Sequence, residues 1–353
     1  LEVEGLSKSQ RLTQHGRNIS GIRYSPNGEY IIYSRSSTVD GSTVRRINRK
    51  SGADEVLVRQ TYSPRISFNQ KGTAFFYSQN AINERFNDFN DIYRYNLADK
   101  KSEKLNHVTA PTKSLRARDP DIAPKGDKIV FIQNQLHQNR VTLGLFAHDD
   151  KSKMTLKTLL PAREDIQYAC PRFSPDGNSI VVAIWQTGGE QSLLLLDAEN
   201  GQIIDKIGFA RAQHGNPTWS PDGRFIVFES DKTGISNLYA YDSKEKSYHQ
   251  ITHVLGGAFQ PDISPDGKTI IFRQASSIGF DIHEMPYAPS SWKEMRTRSQ
   301  HDTAALETLL SEQHHERQDE PPLALRDNEQ ESDYSIWRTL LPFQHNWLLI
   351  PHL

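Results

Sequence analysis

Short apolar runs alternate with polar turns along most of this chain, and the alternation is periodic. The clearest copies lie within residues 213–287. There an apolar run ends in Ser-Pro-Asp-Gly, a second apolar run follows, and a polar turn leads into a third. The same turn recurs upstream, so that the unit is marked by Gly28, Gly72, Gly126, Gly177, Gly223 and Gly267, with spacings of 44, 54, 51, 46 and 44 residues. Proline presets φ for the turn, Asp or Asn tolerates the next position, and glycine supplies the positive φ that ends it. Four residues before each glycine stand Tyr24, Phe68, Ile122, Phe173, Trp219 and Ile263. Three and five residues after it stand further β-branched or aromatic residues, such as Ile226 and Phe228, and the position between them is apolar as well. Three consecutive apolar residues leave no polar face, which predicts a strand packed between neighbouring sheets on both sides.

Each unit carries a third strand, predicted at Thr43–Ile47, Asp91–Tyr95, Leu143–Ala147, Ser192–Leu196, Asn237–Tyr241 and Asp281–Met285. A fourth strand is predicted in most units, for example at Lys104–Val108 and Gln250–Val254. Four short antiparallel strands in about 40–50 residues make one β-propeller blade. The fold class is therefore all-β, a six-bladed propeller over residues 1–288, with blades near 19–61, 62–109, 110–162, 163–212, 213–257 and 258–288. The sixth unit lacks a fourth strand. The N-terminal Gln10-Arg11-Leu12-Thr13-Gln14-His15 resembles His249-Gln250-Ile251-Thr252-His253, which closes the fifth unit. The N-terminal strand is therefore expected to complete the last blade and lock the ring, leaving only short, protected edges. An open solenoid or two half-sandwiches are the alternatives.

The periodicity ends near Pro289. Residues 289–333 read as a polar linker with a short helical stretch at Ala304–Leu310, and residues 334–353 as an apolar segment rich in Trp, Pro and Leu. The chain of 353 residues carries 42 basic and 43 acidic side chains. That balance gives no long-range field toward nucleic acid or an anionic membrane. One cysteine, Cys170, excludes an internal disulfide and reads as a small buried hydrophobe. No apolar run is long enough for a transmembrane helix. The chain begins Leu1-Glu2-Val3, so the absence of a signal peptide says nothing about compartment. It reads as a monomer.

A search for catalytic motifs is negative. There is no G-x-S-x-G elbow, no H-E-x-x-H, no P-loop and no dinucleotide fingerprint, so neither catalytic residues, nor a metal set, nor a cofactor is assigned. The stretch Asn80–Asn90 is dense in Asn and Asp and reads as a long surface loop, with calcium as its chemical alternative. The candidate site is the central channel. Residues five before each turn glycine alternate with apolar positions and are expected to face it: Arg23, Ser67, Asp121, Arg172, Thr218 and Asp262. Charges of both signs suit an extended peptide or a partner loop. They suit internal salt links around a water-filled channel equally.

The repeated P-x-W/F/I-S-P-D-G-x-x-I-x-F unit, best at residues 217–228 and 261–272 and followed by N/D-L/I-Y, resembles the TolB-type propeller over about residues 4–287. That resemblance implies a periplasmic, non-catalytic propeller that binds a peptidoglycan-associated lipoprotein and disordered peptides entering its channel. The same repeats also build the propellers of some peptidases. This chain departs from the TolB pattern in lacking an α/β domain before the propeller and in continuing about 65 residues past it. The Tyr334–Trp347 stretch, with its TLLP…W pattern, is similar to the connector of large bacterial proteins in which such a propeller precedes an outer-membrane barrel. Three functions remain open at this point: a periplasmic or outer-membrane-associated protein-binding scaffold, an accessory propeller gating substrate for a peptidase, and a ligand- or metal-binding propeller.

Overall fold

A computed structural model describes residues 6–295, apart from residues 15, 17, 39–40, 61–64, 84–86, 109–113, 136–137, 149 and 151. Of the expected linker only residues 289–295 are described, and there a short 3-10 turn and an added strand replace the expected polar linker; the rest of it and the apolar C-terminal segment lie outside the described residues. The described chain forms six antiparallel sheets arranged as propeller blades, and its one helical element is the short 3-10 turn Pro289–Ser291. From the innermost strand outward, blade 1 is Asn18–Tyr24, Tyr30–Ser37, Gly41–Asn48 and Asp54–Gln60. Blade 4 is Ile166–Phe173, Ser179–Gln186, Gln191–Asp197 and Ile203–Ile207, and blade 5 begins His214–Trp219, Phe225–Ser230, Asn237–Asp242 and Ser247–Gln250.

The ring closes as the N-terminal pattern predicts. Gln10–Arg11 pairs antiparallel with Gly279–Pro286 as the outer strand of blade 6. The resemblance between the two closing segments extends to hydrogen bonds. Thr13 Oγ1 accepts the Ile282 amide at 3.0 Å and donates to Asp281 at 2.8 Å. Thr252 Oγ1 accepts the Leu238 amide at 2.8 Å and donates to Asn237 at 3.0 Å. These threonines sit just past their strands, which corrects the predicted position of the fourth strand. In blade 5 that strand is Ser247–Gln250, and Ile251–Thr252 is the bonded exit from it. Likewise Lys101–Lys104 is the outer strand of blade 2, and Asn106–His107 crosses to pair parallel with blade 3.

The apolar core is divided into six clusters, one in each seam between adjacent blades. The run Ile180-Val181-Val182 shows why all three positions are apolar. Ile180 and Val182 pack toward blade 3, while Val181 packs toward Ile226 and Phe228 of blade 5. The turns are locked by side chains as well as by glycine. Ser174 Oγ donates to Asp176 at 2.6 Å and accepts the Ser179 amide at 2.9 Å. In blade 2, whose turn lacks that serine, the Asn69 side chain accepts the Ala74 amide instead at 3.0 Å.

Two features were not foreseen. Lys293–Met295 adds a fifth strand to the outer edge of blade 5, and Trp292 packs edge-on against Phe225 and Tyr287. The Asn/Asp-rich stretch is not a loop but the end of a long hairpin, Ala74–Asn83 paired with Asn87–Asn96. Asp91 is already held by Ser114 Oγ, the Leu115 amide and Lys104. Among the described residues no cluster of three His, Cys, Asp or Glu forms a metal-sized group.

Candidate functional site

The six channel residues named from the sequence converge on one layer of the channel. Read around the ring they run Arg23, Ser67, Asp121, Arg172, Thr218, Asp262, so the order cation, hydroxyl, anion occurs twice. Arg172 Nη1 donates to Asp121 Oδ1 at 2.7 Å, and Arg23 makes the equivalent bond to Asp262. Ser67 Oγ donates to Asp121 at 2.8 Å, and Thr218 Oγ1 donates to Asp262 at 3.3 Å. Arg23 also lies 3.6 Å from Asp121, which ties the two halves together. Asp121, Thr218 and Asp262 are buried. Burial, with the like charge of Arg23 adding to it, pulls the Arg172 guanidinium below the ordinary arginine range.

The local chain explains why this layer exists. The inner edge of each blade is a sheet edge with unpaired amides, and such amides must find acceptors. Asp262 Oδ2 accepts the Tyr24 amide at 2.8 Å, Asp121 Oδ2 accepts the Phe173 amide at 2.8 Å, and Ser67 Oγ accepts the Ile122 amide at 3.1 Å. Asp262, Asp121 and Ser67 thus each bond the inner strand of the following blade. The ring residues are interblade ties first.

A second layer lies two residues earlier in five of the six blades and was missed from sequence. Gly21, Asp119, Cys170, Asn216 and Gln260 all have left-handed backbone, with φ between 49° and 62°. Each sits at a register shift in its inner strand. Four of the five precede a proline, and a proline inside a strand is tolerated only at an edge or a bulge. That rule was the available signal. The bulge turns these amides toward the preceding blade: Gly21 N bonds Gln260 Oε1 at 2.9 Å, Cys170 N bonds Asp119 Oδ2 at 3.2 Å, and Gln260 N bonds Glu229 Oε2 at 2.7 Å. Burial raises the Cys170 thiol pKa, which disfavours the thiolate.

Above the charged layer, at the end bearing the Ser-Pro-Asp-Gly turns, the channel widens into a funnel of about 280 Å³. Its floor is the ion-paired ring. Its walls carry Phe68, Phe173 and Trp219 below and Pro26, Pro124 and Pro265 at the rim, with Asn69, Gln70 and Ser174 among them. The floor carries two cations and two anions that neutralise each other, so the funnel offers an aromatic and proline wall over a net-neutral base. A chain entering there meets side chains before it can cross the ring.

A family model described as TolB beta propeller domain matches residues 87–306. The chain belongs to that family. It is 31% identical over 109 residues to the Tol-Pal system protein TolB of Francisella tularensis, covering 30% of this chain and 25% of that protein. It is 28% identical over 120 residues to the uncharacterized peptidase YuxL of Bacillus subtilis, covering 32% of this chain and 18% of that protein. The matched part is thus a quarter or less of either relative. Among solved structures, a putative TolB from Agrobacterium tumefaciens superposes with a TM-score of 0.54 at 18% identity, covering 69% of this chain and 83% of that one. At that identity the superposition establishes the fold alone.

Proposed function

We propose that this TolB-family propeller is a non-catalytic scaffold of the bacterial cell envelope, working in the periplasm and holding a protein or extended peptide in its turn-side funnel. The observation that carries the reading is the funnel itself: an aromatic and proline wall closed below by a neutralised, fully engaged ion ring. A proline- and aromatic-lined wall suits an extended backbone, which loses little further freedom on docking. The engaged floor argues for recognition by the walls and rim. Arg23, Asp121, Arg172, Thr218 and Asp262 then act by setting the depth of the funnel, because an incoming charge would have to break an interblade tie to reach them. An envelope lipoprotein is the partner that TolB kinship suggests.

The test is site-specific photo-crosslinking in intact cells. A benzophenone side chain at exposed Gln70, on the funnel rim, should capture a protein partner. The same group at Glu199, on an outer turn of blade 4, should not. Equal capture at both positions, or none at Gln70, would remove the funnel from the proposal.

A second reading is favoured by the match to a peptidase: the propeller would gate substrate for a hydrolytic domain elsewhere in a longer protein. Peptide cleavage by the intact gene product, lost when the funnel rim is blocked, would support it over the scaffold.

A further inference from the structure

At the opposite end of the channel a cleft of about 230 Å³ opens between blades 4 and 5. A volume of about 230 Å³ is on the scale of one small ring. Trp185, at the end of a strand of blade 4, lines it and is 41% exposed, unusual for so large an apolar surface. Facing it from blade 5 is Ser230, 1% exposed, whose Oγ has no hydrogen-bond partner among the described residues. A buried hydroxyl left without a partner costs about 1–3 kcal/mol, so an orphan lining a cavity points to an occupant.

The remaining polar groups on the cleft match one kind of occupant. The Gln191 carbonyl oxygen of the side chain accepts the His214 amide at 3.2 Å, which leaves its amide nitrogen to donate. Asp231 uses Oδ1 for the Gln213 amide at 2.6 Å, which leaves Oδ2 to accept. The Gln213 side chain is exposed and lines the same cleft. The fixed charges are already employed. Glu229 is held by Asn216 Nδ2 at 2.6 Å and by the Gln260 amide, and Arg65 has partners of its own. His214 is no free base either, since its Nε2 accepts the Phe209 amide at 2.7 Å and its Nδ1 donates to the Gln191 carbonyl. What remains is an aromatic platform beside neutral donors, acceptors and one carboxylate oxygen.

We propose that this cleft binds a single neutral pyranose unit, stacked on Trp185 and hydrogen-bonded through its hydroxyls to Ser230, Gln191, Gln213 and Asp231. Sugar hydroxyls both donate and accept, so one ring satisfies all four groups. Its C–H face is drawn to the electron-rich face of the indole. The site is separate from the funnel, and its failure would leave the scaffold reading untouched.

The experiment is ligand-observed saturation-transfer NMR with calorimetry on the whole chain, using glucose, galactose, mannose and N-acetylglucosamine. At least one should bind with Kd on the order of 1 mM, with transfer strongest to the C–H groups of one face. Trp185→Ala should weaken binding by about tenfold, as expected for loss of a stacking partner. Ser230→Ala should weaken it about fivefold while leaving Tm unchanged or higher, because it deletes an unsatisfied group from the empty protein. No binding of any of the four sugars, or affinity that survives both substitutions, would overturn the proposal. So would binding of glycyl-tryptophan in the cleft in place of the sugars.

Discussion

Replacing Asp262 by alanine should be among the most damaging single changes at the channel, although the residue lies on no catalytic motif. The carboxylate makes three contacts across two seams: the ion pair to Arg23, the Thr218 hydroxyl, and the Tyr24 amide. Its removal strands a mostly buried guanidinium whose next carboxylate, Asp121, is 3.6 Å away and already bonded to Arg172 and Ser67. It also orphans the Tyr24 amide. Breaking a buried pair from one side costs about 3–5 kcal/mol. With an unfolding entropy of about 2 cal/mol/K per residue over roughly 290 residues, that corresponds to a Tm loss of about 5–8 °C. Scanning calorimetry or urea unfolding reads it directly. The paired variant Arg23→Met with Asp262→Leu should recover much of the loss, because no charge is left uncompensated. A shift under 2 °C for Asp262→Ala, or a double variant worse than the single, would refute the view of the ring as a set of interblade ties.

Two further outcomes are expected. Burial lowers the His214 pKa to about 4, and its Nε2 must stay unprotonated to accept the Phe209 amide. The unfolded chain therefore takes up the proton first: this contribution is full above pH 6.5, declines as pH falls, and is gone by about pH 4. Between pH 7.5 and 5 the loss is about 2 kcal/mol, and denaturation across that window should be flatter in His214→Gln. In the outer turns, Gly201 has φ +76° and a Cβ there would sit 2.4 Å from the Leu159 carbonyl oxygen, whereas the equivalent Gly52 at φ +71° has open space. Gly201→Ala should thus cost about 2–4 kcal/mol and Gly52→Ala about 1 kcal/mol by equilibrium unfolding; equal costs would show that the neighbour gives way.

Much of this architecture is written in the sequence because the blade is a repeated solution to one packing problem. The Ile180-Val181-Val182 run, apolar on both faces, announced two neighbours, and the likeness of Gln10–Thr13 to His249–Thr252 announced the closure. The channel layer was legible for the same reason, since position five before the glycine must alternate with its apolar neighbours. The second layer was not. The bulge at Asp119, Cys170, Asn216 and Gln260 shifts the alternation by one residue, and simple period-two counting passes over it. The strap at Lys293–Met295 was hidden because a three-residue strand at an outer edge needs amides more than apolar side chains. Asn80–Asn90 misled through composition: Asn and Asp are common in loops, but here the cross-strand ladder to Asn87–Asn96 prevailed.

The clasp on blade 6 also orders events in time. Gln10 faces Glu284 across that blade, so the N-terminal strand of the propeller has no edge to join until blade 6 has formed. Until then the array is an open crescent with an uncovered sheet face at its front. Ring closure is therefore the final step of folding, and the interval before it is when this chain has most to gain from a chaperone.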